Sequence, residues 1–441
     1  MAEFAYRTVE EHQQRIMDLV PLAPTEALPL EGALGRTLAA DAVAALDLPP
    51  WDNSAMDGYA VCSSDTTDAT AAAPVRLSVI AELPAGTEAD PSLESGQAAA
   101  IMTGAPMPTG ADAVVPLEDT VGWDPAAPTA GTALPDHVGL DRPSPGGKHV
   151  RRSGEDVRSG DRVAAAGELL APHRLAAVAA AGIATVTVRR KPRVAVVSTG
   201  SELVAPGEPV RRGQIPDSNS LLLASLVAAS GGEVVHRGRV SDDPAELQSL
   251  LDSTRAGSDA VVTTGGASVG AHDVARLVLA PHAPGGTLSG GVSEDPADLA
   301  DRAVRFDRVA VQPGKPQGFG LLPDGRPVWS LPGNPVSAWV SYLLFVEPGL
   351  WAMQGRAVPR AAWIPATTDD GWRSPHRREQ FVPVRVTSAP GEPLRIAQAT
   401  ERGSGSHLAG RLARATGLAR VPASTDAVLP GDTVLYRSLE V

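Results

Sequence analysis

A regular alternation of strand-like and helix-like segments between residues 193 and 312 constrains the fold of this chain more than any other feature. Short apolar stretches rich in valine are separated by segments with helical patterning. The predicted strands are 193–198, 233–238, 259–263 and 308–312, and the predicted helices are 218–229, 244–254 and 272–280. Strands and helices in regular turn predict an α/β fold built on a doubly wound, mainly parallel sheet.

The regions on either side of this alternation predict separate structural units. The N-terminal patterns are helices at 8–20 and 172–181, a strand at 75–83 and a proline- and glycine-rich stretch at 124–147. They predict an α+β N-terminal region with a β-rich insertion over about 65–148. Near the C-terminus, short strand patterns separated by glycine, proline and aspartate predict a small β-rich domain. The predicted domains are therefore 1–192, 193–355 and 356–441.

Charge and cysteine content limit the functions that this chain supports. The 441 residues carry a net charge of -13. This charge argues against general binding of nucleic acid or of an anionic membrane, although a local basic pocket for a small anion is compatible with it. Cys62 is the single cysteine, which excludes an intramolecular disulfide and a cysteine-rich zinc site. The N-terminus has no signal-peptide pattern, and no apolar run reaches the roughly 20 residues that span a bilayer. Together these features predict a cytoplasmic protein.

Four loops at the predicted sheet are candidates for a binding site, because such sheets bind ligands outside the carboxyl ends of their strands. They are "STGSEL" (198–203), "RVSDDP" (239–244), "TTGGASVGAHD" (263–273) and "QPGKPQGFG" (312–320). Small residues in the third loop would let backbone N–H groups approach a phosphate or another oxyanion. A tight turn that needs glycine only for its positive φ explains the same loop equally well. The loop has no Walker lysine and no dinucleotide-binding G-x-G-x-x-G spacing.

Acidic residues follow the same predicted strands. Asp273 stands where a helix is predicted to begin, so it is either a cap or a ligand. Glu202, Asp242 and Asp243 are brought to the same sheet edge by the predicted topology. Because Mg²⁺ prefers one or two carboxylates together with phosphate oxygens, these four residues predict a magnesium site beside a phosphate-bearing ligand.

Two further segments have the composition of an oxyanion site. Lys315 lies in "PGKP", where the prolines form a rigid frame for its ammonium group. Gly333, Asn334 and Ser337 lie in "LPGNPVSAW" (331–339), where a turn leads into a predicted helix. A plain helix-start turn accounts for this second segment nearly as well.

Three polar motifs lie far upstream of the predicted sheet. They are "PPWDNSAMDGYAV" (49–61), "AIMTGAPMPTGADAVVPLED" (100–119) and "RRSGEDVRSGD" (151–161). Their dense polar residues are typical of turns in which side chains cap the backbone, and they also suit a loop that faces a ligand. For the third motif, a solvated charged turn is the default interpretation.

Taken in order, eight motifs resemble the successive signatures of the MoeA family, the molybdopterin molybdenumtransferases. The motifs are "DNSAMDGYA", "IMTGAP", "RRSGED", "STGSEL", "DSN", "TTGGASVGAHD", "PGKP" and "LPGNPVS". The resemblance runs from about residue 28 to the C-terminus. It implies insertion of molybdate into adenylylated molybdopterin, with release of AMP in a Mg²⁺-assisted step. It also implies a homodimer of elongated subunits, with the site between the sheet domain of one subunit and the N-terminal loops of the other.

The resemblance assigns roles to individual positions. Asp57 and Thr103 match the family's N-terminal functional residues, and Glu202, Asp242 or Asp243, and Asp273 match its acidic, metal-binding ones. Lys315 and Ser337 match motifs associated with molybdate, and Arg378 and Ser406 are C-terminal matches. The full set of expected cofactor-binding residues is Ser198, Thr199, Gly200, Asp217, Ser218, Asn219, Gly265, Gly266, Ser268, Gly270, Lys315, Pro316, Gly333, Asn334, Ser337, Arg378 and Ser406.

Three positions depart from the family pattern. Ser201 replaces a usual acid, Ala267 a usual valine and Gln312 a common lysine. A lost carboxylate would weaken metal binding, and a lost lysine removes one cation from the molybdate site. Two alternative functions stay open. One is a molybdopterin adenylyltransferase, which shares the sheet domain, and the other is a divergent, non-catalytic molybdopterin-binding paralogue.

Overall fold

The computed structural model describes residues 6–123, 134–266, 273–280, 302–356, 363–400 and 409–439. The first helix, α1 (Val9–Leu19), is present as predicted and begins at a capping box. The Thr8 hydroxyl accepts a hydrogen bond from the Glu11 N–H (3.1 Å), and the Glu11 carboxylate accepts one from the Thr8 N–H (2.8 Å). This reciprocal arrangement satisfies two backbone donors and fixes where the chain enters the helix.

The rest of the N-terminal region contains one five-stranded sheet and several short strand pairs. Its elements are β1 (Thr25–Pro29), β2 (Ala42–Val43), β3 (Asn53–Ser54), β4 (Gly58–Val61), β5 (Val75–Leu83), β6 (Gln97–Ile101), β7 (Ala113–Pro116), β8 (His137–Leu140), β9 (Val150–Arg151), β10 (Arg162–Ala164), α2 (Pro172–Ala180) and β11 (Thr185–Arg189), with 3₁₀ turns at Leu30–Gly32, Ser63–Thr66 and Leu117–Asp119. The sheet has the order β7-β4-β6-β5-β8. The strand predicted at 75–83 and the helix predicted at 172–181 are both confirmed.

A six-stranded sheet forms the centre of the molecule. The elements of this part are β12 (Arg193–Thr199), β13 (Leu203–Val204), β14 (Ile215–Pro216), α3 (Asn219–Ala229), β15 (Glu233–Val240), α4 (Pro244–Thr254), β16 (Ala260–Thr264), α5 (Val274–Leu279), β17 (Arg305–Arg308), β18 (Val311–Gln312), β19 (Pro316–Leu321), β20 (Pro327–Leu331), α6 (Pro335–Ser341), a π-helical segment (Tyr342–Val346) and α7 (Glu347–Met353). The strand order is β15-β12-β16-β20-β19-β17. Neighbours are parallel from β15 to β20, whereas β19 is antiparallel to β20 and to β17.

Alternate residues of β12 enter two separate cores, as the two-residue period of a strand requires. Val194 and Val196 pack in the cluster that contains residues of α3 and α6. Ala195 and Val197 pack in the cluster that contains residues of α4 and α5. The mixed α/β character predicted for this part of the chain is therefore present, with helices packed on both faces of β12.

The end of the predicted alternation was wrong. Residues 308–312 do not form one strand, because β17 closes the central sheet while β18 pairs in parallel with a C-terminal strand. The predicted loop 312–320 contains β19, and β20 was not predicted. The glycines in β19 led to the prediction of a loop, because glycine is uncommon inside strands. A Cβ at Gly318 would lie 2.8 Å from the Phe306 ring, and one at Gly320 would clash with the Val304 backbone. These glycines therefore serve close packing rather than a turn.

The helical run Pro335–Met353 is long and apolar enough to cross a membrane by length and composition. It is nevertheless 83% buried inside the protein. Its side chains, among them Tyr342 and Phe345, pack around Trp329 and Phe319 of the central sheet. These contacts identify it as a core helix, because a membrane-spanning helix would present its apolar surface to lipid.

The C-terminal part is a small closed barrel, as the predicted β-rich composition suggested. Its elements are β21 (Ile364–Thr368), β22 (Trp372–Arg373), β23 (Glu379–Val386), β24 (Arg395–Gln398), a 3₁₀ turn (Ala409–Arg414), β25 (Gly417–Val421), β26 (Ala427–Val428) and β27 (Thr433–Ser438). The order β23-β24-β21-β27-β25 closes because β25 also pairs with β23. β18 adds to β23 and so joins the barrel to the central sheet.

Candidate functional site

The ends of four central strands bring distant segments to one edge of the sheet. The parallel strands β12, β16 and β20 end side by side at Thr199, Thr264 and Leu331. Because β19 runs the other way, its first residue, Pro316, lies at that same edge. The segments that follow Thr199, Thr264 and Leu331 therefore meet the segment that contains Lys315. This is the edge where sheets of this kind bind ligands.

A pocket of about 350 Å³ opens at this edge. Its described lining residues come from four segments of the chain and are Gly266, Gln312, Pro313, Gly314, Lys315, Pro316, Pro332, Gly333, Asn334, Ser337 and Arg378. Two of these residues are cations, Lys315 and Arg378, and none is a carboxylate. A cavity with this lining attracts an anion and repels a cation.

The two cations reach the pocket from different parts of the molecule. Lys315 precedes β19, and its Nζ lies 5.3 Å from the centroid of the Tyr6 ring. As a hydrogen-bond donor and a nearby charge, the Lys315 ammonium lowers the pKa of the Tyr6 phenol. Arg378 precedes β23 of the barrel, and its Nη1 donates a 2.7 Å hydrogen bond to Gln312 Oε1. The pocket lining therefore combines residues of the sheet with one residue of the barrel, and the N-terminal segment contacts one of its cations.

The start of α6 forms one wall of the pocket. Asn334 is the N-cap residue, Pro335 occupies the first turn, and Ala338 N–H donates to Asn334 O (2.9 Å). The sequence thus begins this helix as expected from its Asn-Pro pair. Ser337, in the first turn, is 3% exposed and lines the pocket. The first backbone N–H groups of a helix point outward from its end and favour an anion.

The predicted "DSN" motif holds the sheet edge together. Asp217 is 2% exposed and accepts hydrogen bonds from the Ser198 hydroxyl (2.9 Å) and the Ser220 N–H (3.0 Å). The Asn219 amide donates to Thr264 Oγ1 (3.1 Å) and to Gly333 O (2.7 Å). It therefore ties the end of β16 to the turn before α6. Ser218 is the N-cap residue of α3 and makes no side-chain capping bond.

The glycine-rich loop begins as a tight turn. Gly265 and Gly266 have φ values of +92° and +68°, which favour glycine over other residues. A Cβ at Gly265 would clash with the Thr199 carbonyl, and one at Gly266 would lie 2.7 Å from Asp273 Oδ1. Thr199, the last residue of β12, thus lies against this turn, and Gly200 follows it directly. The predicted ligands Ser268 and Gly270, and the departure at Ala267, lie outside the described residues.

The predicted metal ligands occupy the loops of the same edge, and three of them hold the backbone. Asp243 caps α4 by accepting from Ala245 N–H (2.9 Å), and Asp273, 6% exposed, caps α5 by accepting from Arg276 N–H (3.3 Å). Asp242 Oδ2 accepts from Ser201 N–H (3.0 Å), while Ser201 Oγ accepts from Asp242 N–H (3.1 Å). Ser201, at the position of a usual acid, thus pairs with the backbone of the next loop.

Glu202 is exposed, and its carboxylate lies beside Gly200. Within the described parts of the chain, no group of three or more His, Cys, Asp or Glu residues is placed to hold a metal ion. The expectation of magnesium therefore does not rest on a preformed carboxylate cluster and stays a prediction.

The upstream motifs come together at the edge of the five-stranded sheet. Asp57 Oδ1 accepts hydrogen bonds from the N–H (2.7 Å) and the hydroxyl (2.9 Å) of Thr103, and both residues are exposed. Pairing of β3 with β9 sets "DNSAMDG" beside "RRSGED". There the Arg152 guanidinium lies 2.6 Å from an Asp52 oxygen. The Ser153 N–H and then Arg152 lower the pKa of Asp52.

This upstream cluster makes no direct polar contact with the sheet-edge pocket among the described residues. No hydrogen bond or ion pair there links Asp57, Thr103 or Arg152 to a residue that lines the pocket. Ser406 lies outside the described residues. Tyr6 was missed by sequence reasoning. No local pattern connects position 6 with position 315, because their contact arises only when the N-terminal segment packs on the sheet.

The fold and the pocket together define an α/β protein with a site suited to an anion at the edge of its central sheet. Three family profiles match consecutive parts of the chain. They describe the MoeA N-terminal region (domains I and II, residues 7–182), a probable molybdopterin binding domain (195–351) and the MoeA C-terminal region (domain IV, 365–439).

Individual relatives agree with these profiles. Molybdopterin molybdenumtransferase 2 of Mycobacterium tuberculosis is 40% identical over 375 residues, which cover 85% of this chain and 86% of the relative. Molybdopterin molybdenumtransferase of Nostoc sp. is 33% identical over 444 residues, which cover 98% and 94%. A crystal structure of the molybdopterin biosynthesis MoeA protein from Pyrococcus horikosii superposes with a TM-score of 0.78 at 30% identity, over 99% of this chain and 100% of that one. The chain belongs to the MoeA family.

Proposed function

We propose that this chain is a molybdopterin molybdenumtransferase of molybdenum cofactor biosynthesis. It inserts molybdate into adenylylated molybdopterin and releases AMP. The observation that carries this proposal is the pocket at the sheet edge, which combines Lys315 and Arg378 with no carboxylate among its described lining residues. Molybdate is a compact anion of charge two, so a pocket with two cations suits its charge.

The pocket residues have complementary roles in holding the oxyanion. Lys315 offers a compact positive charge, and Arg378 offers a planar fork of N–H donors. Ser337 and the backbone N–H groups at the start of α6 offer neutral donors on the opposite wall. Donors fixed in advance on a rigid scaffold stabilise a developing negative charge better than water does, since they need no reorganisation.

Mg²⁺ is part of this proposal, because exposed carboxylates are available at the same edge. Glu202 and Asp242 are both exposed, whereas Asp243 and Asp273 act as helix caps. Mg²⁺ needs only one or two protein carboxylates when phosphate oxygens complete its shell. Bound there, it would neutralise charge on the phosphoanhydride of the adenylylated substrate. Glu202 and Asp242 are therefore the residues that we expect to hold it.

The homodimer belongs to the proposal as well. Asp57 and Thr103 form an exposed cluster, and no hydrogen bond or ion pair between described residues joins them to the pocket of their own chain. A partner subunit that places these loops over the sheet edge would complete the site and exclude water from it. Subunit mixing tests this arrangement with the inactive variants Asp57→Ala and Lys315→Gln. If the site is shared, mixed dimers contain one intact site, and turnover returns to about a quarter of the wild-type value. Absence of recovery in verified mixed dimers would place the site within one chain.

Turnover itself is tested with the purified protein, adenylylated molybdopterin, molybdate and Mg²⁺. We expect release of AMP that depends on molybdate. Consumption of ATP with molybdopterin and without molybdate would identify an adenylyltransferase instead. Tight binding of molybdopterin without any turnover would identify a non-catalytic binding protein, as the departures at Ser201 and Gln312 first suggested.

The cytoplasm is the compartment that we propose for this reaction. The only cysteine, Cys62, is free, so the fold is independent of oxidising conditions. Fractionation of cells that produce the tagged protein tests this location, and recovery with exported or membrane fractions would contradict it.

A further inference from the structure

The two cations of the pocket differ from Arg7 and Arg437 in the partners that they have. Arg7 pairs with Asp307 (3.0 Å), and Arg437 pairs with Glu347 (2.6 Å). Neither Lys315 nor Arg378 forms an ion pair with any described residue. Each of them instead contacts an uncharged side chain, the Tyr6 ring and the Gln312 amide respectively.

Tyr6 is brought to Lys315 by a short segment that is anchored along its length. Arg7 N–H donates to Arg308 O (2.9 Å), and Ala310 N–H donates to Arg7 O (2.8 Å). The Arg7–Asp307 ion pair lies beside these two bonds. Val309 N–H in turn donates to Lys315 O (2.8 Å). Segment 307–310 therefore anchors the backbone next to Tyr6 and the backbone of Lys315, which brings the Tyr6 ring within reach of the Lys315 ammonium.

Gln312 and Arg378 are fixed relative to each other by strand pairing. Gln312 ends β18, which pairs in parallel with the start of β23 next to Arg378. Glu379 N–H also donates to Ala310 O (2.9 Å). The 2.7 Å bond between Arg378 Nη1 and Gln312 Oε1 thus spans two segments that are already held together. The glutamine that replaces the common lysine of the family has a specific contact in this chain.

We propose that Tyr6 and Gln312 are positioning residues, which hold the two cations of the pocket in place while leaving their positive charge available to the oxyanion. A carboxylate partner would fix each cation equally well but would cancel the charge that attracts molybdate. A cation without any partner would keep its charge but lose rotamer entropy when it becomes ordered around the ligand. A neutral partner avoids both disadvantages.

This inference rests on the proposed function only in taking molybdate as the ligand of the pocket. It also gives Gln312 a role that differs from that of a lost lysine. Arg378 is the second cation, and Gln312 directs it. The departure from the family pattern is therefore compatible with an active site.

Molybdate binding to the full-length protein, measured by titration calorimetry at fixed ionic strength, tests the inference. Gln312→Glu keeps the size of the side chain and sets a carboxylate against Arg378, so we expect the Kd for molybdate to rise about tenfold or more. Tyr6→Ala should raise the Kd several-fold, and Tyr6→Phe less, because the ring face stays. In turnover assays the KM for molybdate should rise with kcat nearly unchanged, since these residues act on binding.

Two matched controls separate positioning from general effects. Gln248→Glu adds the same charge on the exposed face of α4, and Tyr436→Phe removes a hydroxyl from the barrel. Neither should alter the Kd for molybdate, and thermal unfolding should report folded protein for every variant.

The outcomes distinguish this inference from the proposed function. If Gln312→Glu and Tyr6→Ala bind molybdate like the wild type while Lys315→Gln loses binding, the pocket stands and the positioning role is overturned. If Lys315→Gln also binds like the wild type, or if the wild type binds no molybdate, the proposed pocket fails and this inference fails with it.

Discussion

The cationic pocket and the acidic loops lie at the same sheet edge, and they use their charges in opposite ways. Lys315 and Arg378 contact uncharged groups, so their charge remains available. Asp243 and Asp273 instead accept hydrogen bonds from backbone N–H groups at helix starts. Dense charge in a loop does not by itself make a site. A carboxylate that already accepts hydrogen bonds from the local backbone has fewer oxygen lone pairs left for a ligand.

The upstream cluster of Asp57 and Thr103 is intermediate between the cationic pocket and the acidic loops in how far its charge is already engaged. Asp57 is exposed, yet one of its oxygens already accepts two hydrogen bonds from Thr103. A carboxylate in this state is positioned but only partly engaged. It is therefore suited to a site that a second surface completes.

We expect the largest loss of turnover from removal of a cation that lines the pocket. Lys315→Gln removes a charge for which the described structure offers no substitute at that position, and molybdate-dependent release of AMP should fall about 10²- to 10³-fold. Lys191→Gln is the matched control, because Lys191 is exposed and remote from the pocket lining. Equal rates for Lys315→Gln and the control would show that the Lys315 charge does not serve the ligand.

Asp57→Ala should reduce turnover by about 10²-fold while leaving the fold intact. The chain contains a matched control, because Asp90 accepts the N–H (2.7 Å) and the hydroxyl (2.8 Å) of Thr109 in nearly the same way. Asp90→Ala should change thermal stability by a similar amount and leave turnover unchanged. If both variants retain wild-type rates, Asp57 is a turn-capping residue and nothing more.

Substitutions at the neighbours Asp242 and Asp243 should have different effects, one on the Mg²⁺ requirement and the other on stability. Asp243→Ala removes the cap of α4 and should cost about 1 kcal/mol of unfolding free energy, measured by denaturant titration, with little change in the Mg²⁺ requirement. Asp242→Asn keeps the shape of the side chain and should raise the Mg²⁺ concentration for half-maximal turnover about tenfold. The reverse assignment of these two effects would show that Asp243 is the ligand.

Asp273 offers a test of the same distinction at α5. Asp273→Ala should lower unfolding free energy by about 1 kcal/mol through loss of the cap. We also expect turnover to fall sharply while the protein remains folded, since Asp273 lies against Gly266 of the pocket. Full activity of a destabilised variant would limit Asp273 to capping.

The smallest effect concerns the ionisation of Tyr6. The Lys315 ammonium lowers the pKa of this phenol, so Lys315→Gln should raise it, as measured by ultraviolet titration against Tyr6→Phe. The sign also follows for stability. A lowered pKa contributes stability above the ordinary tyrosine pKa of about 10, and that contribution is lost as the pH falls through the folded value. An unchanged titration would mean that the two groups do not interact in solution.

Local patterns accounted for much of the central sheet. Strands β12, β15 and β16 and helices α3 and α4 lie close to their predicted positions, because the apolar residues that indicate each element lie within its own segment. Strands β19 and β20 were not predicted. The glycines of β19 are required by neighbours from other segments, and such packing leaves no periodic signal.

The alternation of strands and helices, the order of the motifs and the identity of the charged residues at the sheet edge can all be read from local sequence. Which of those charges remain available to a ligand depends on how distant segments pack. Tyr6 meets Lys315, and Gln312 meets Arg378, through packing between segments that lie far apart along the chain. Asp243 and Asp273 are engaged by backbone donors only three residues away or nearer. The physical reason is that capping is a local interaction, whereas an open pocket exists only where distant segments meet.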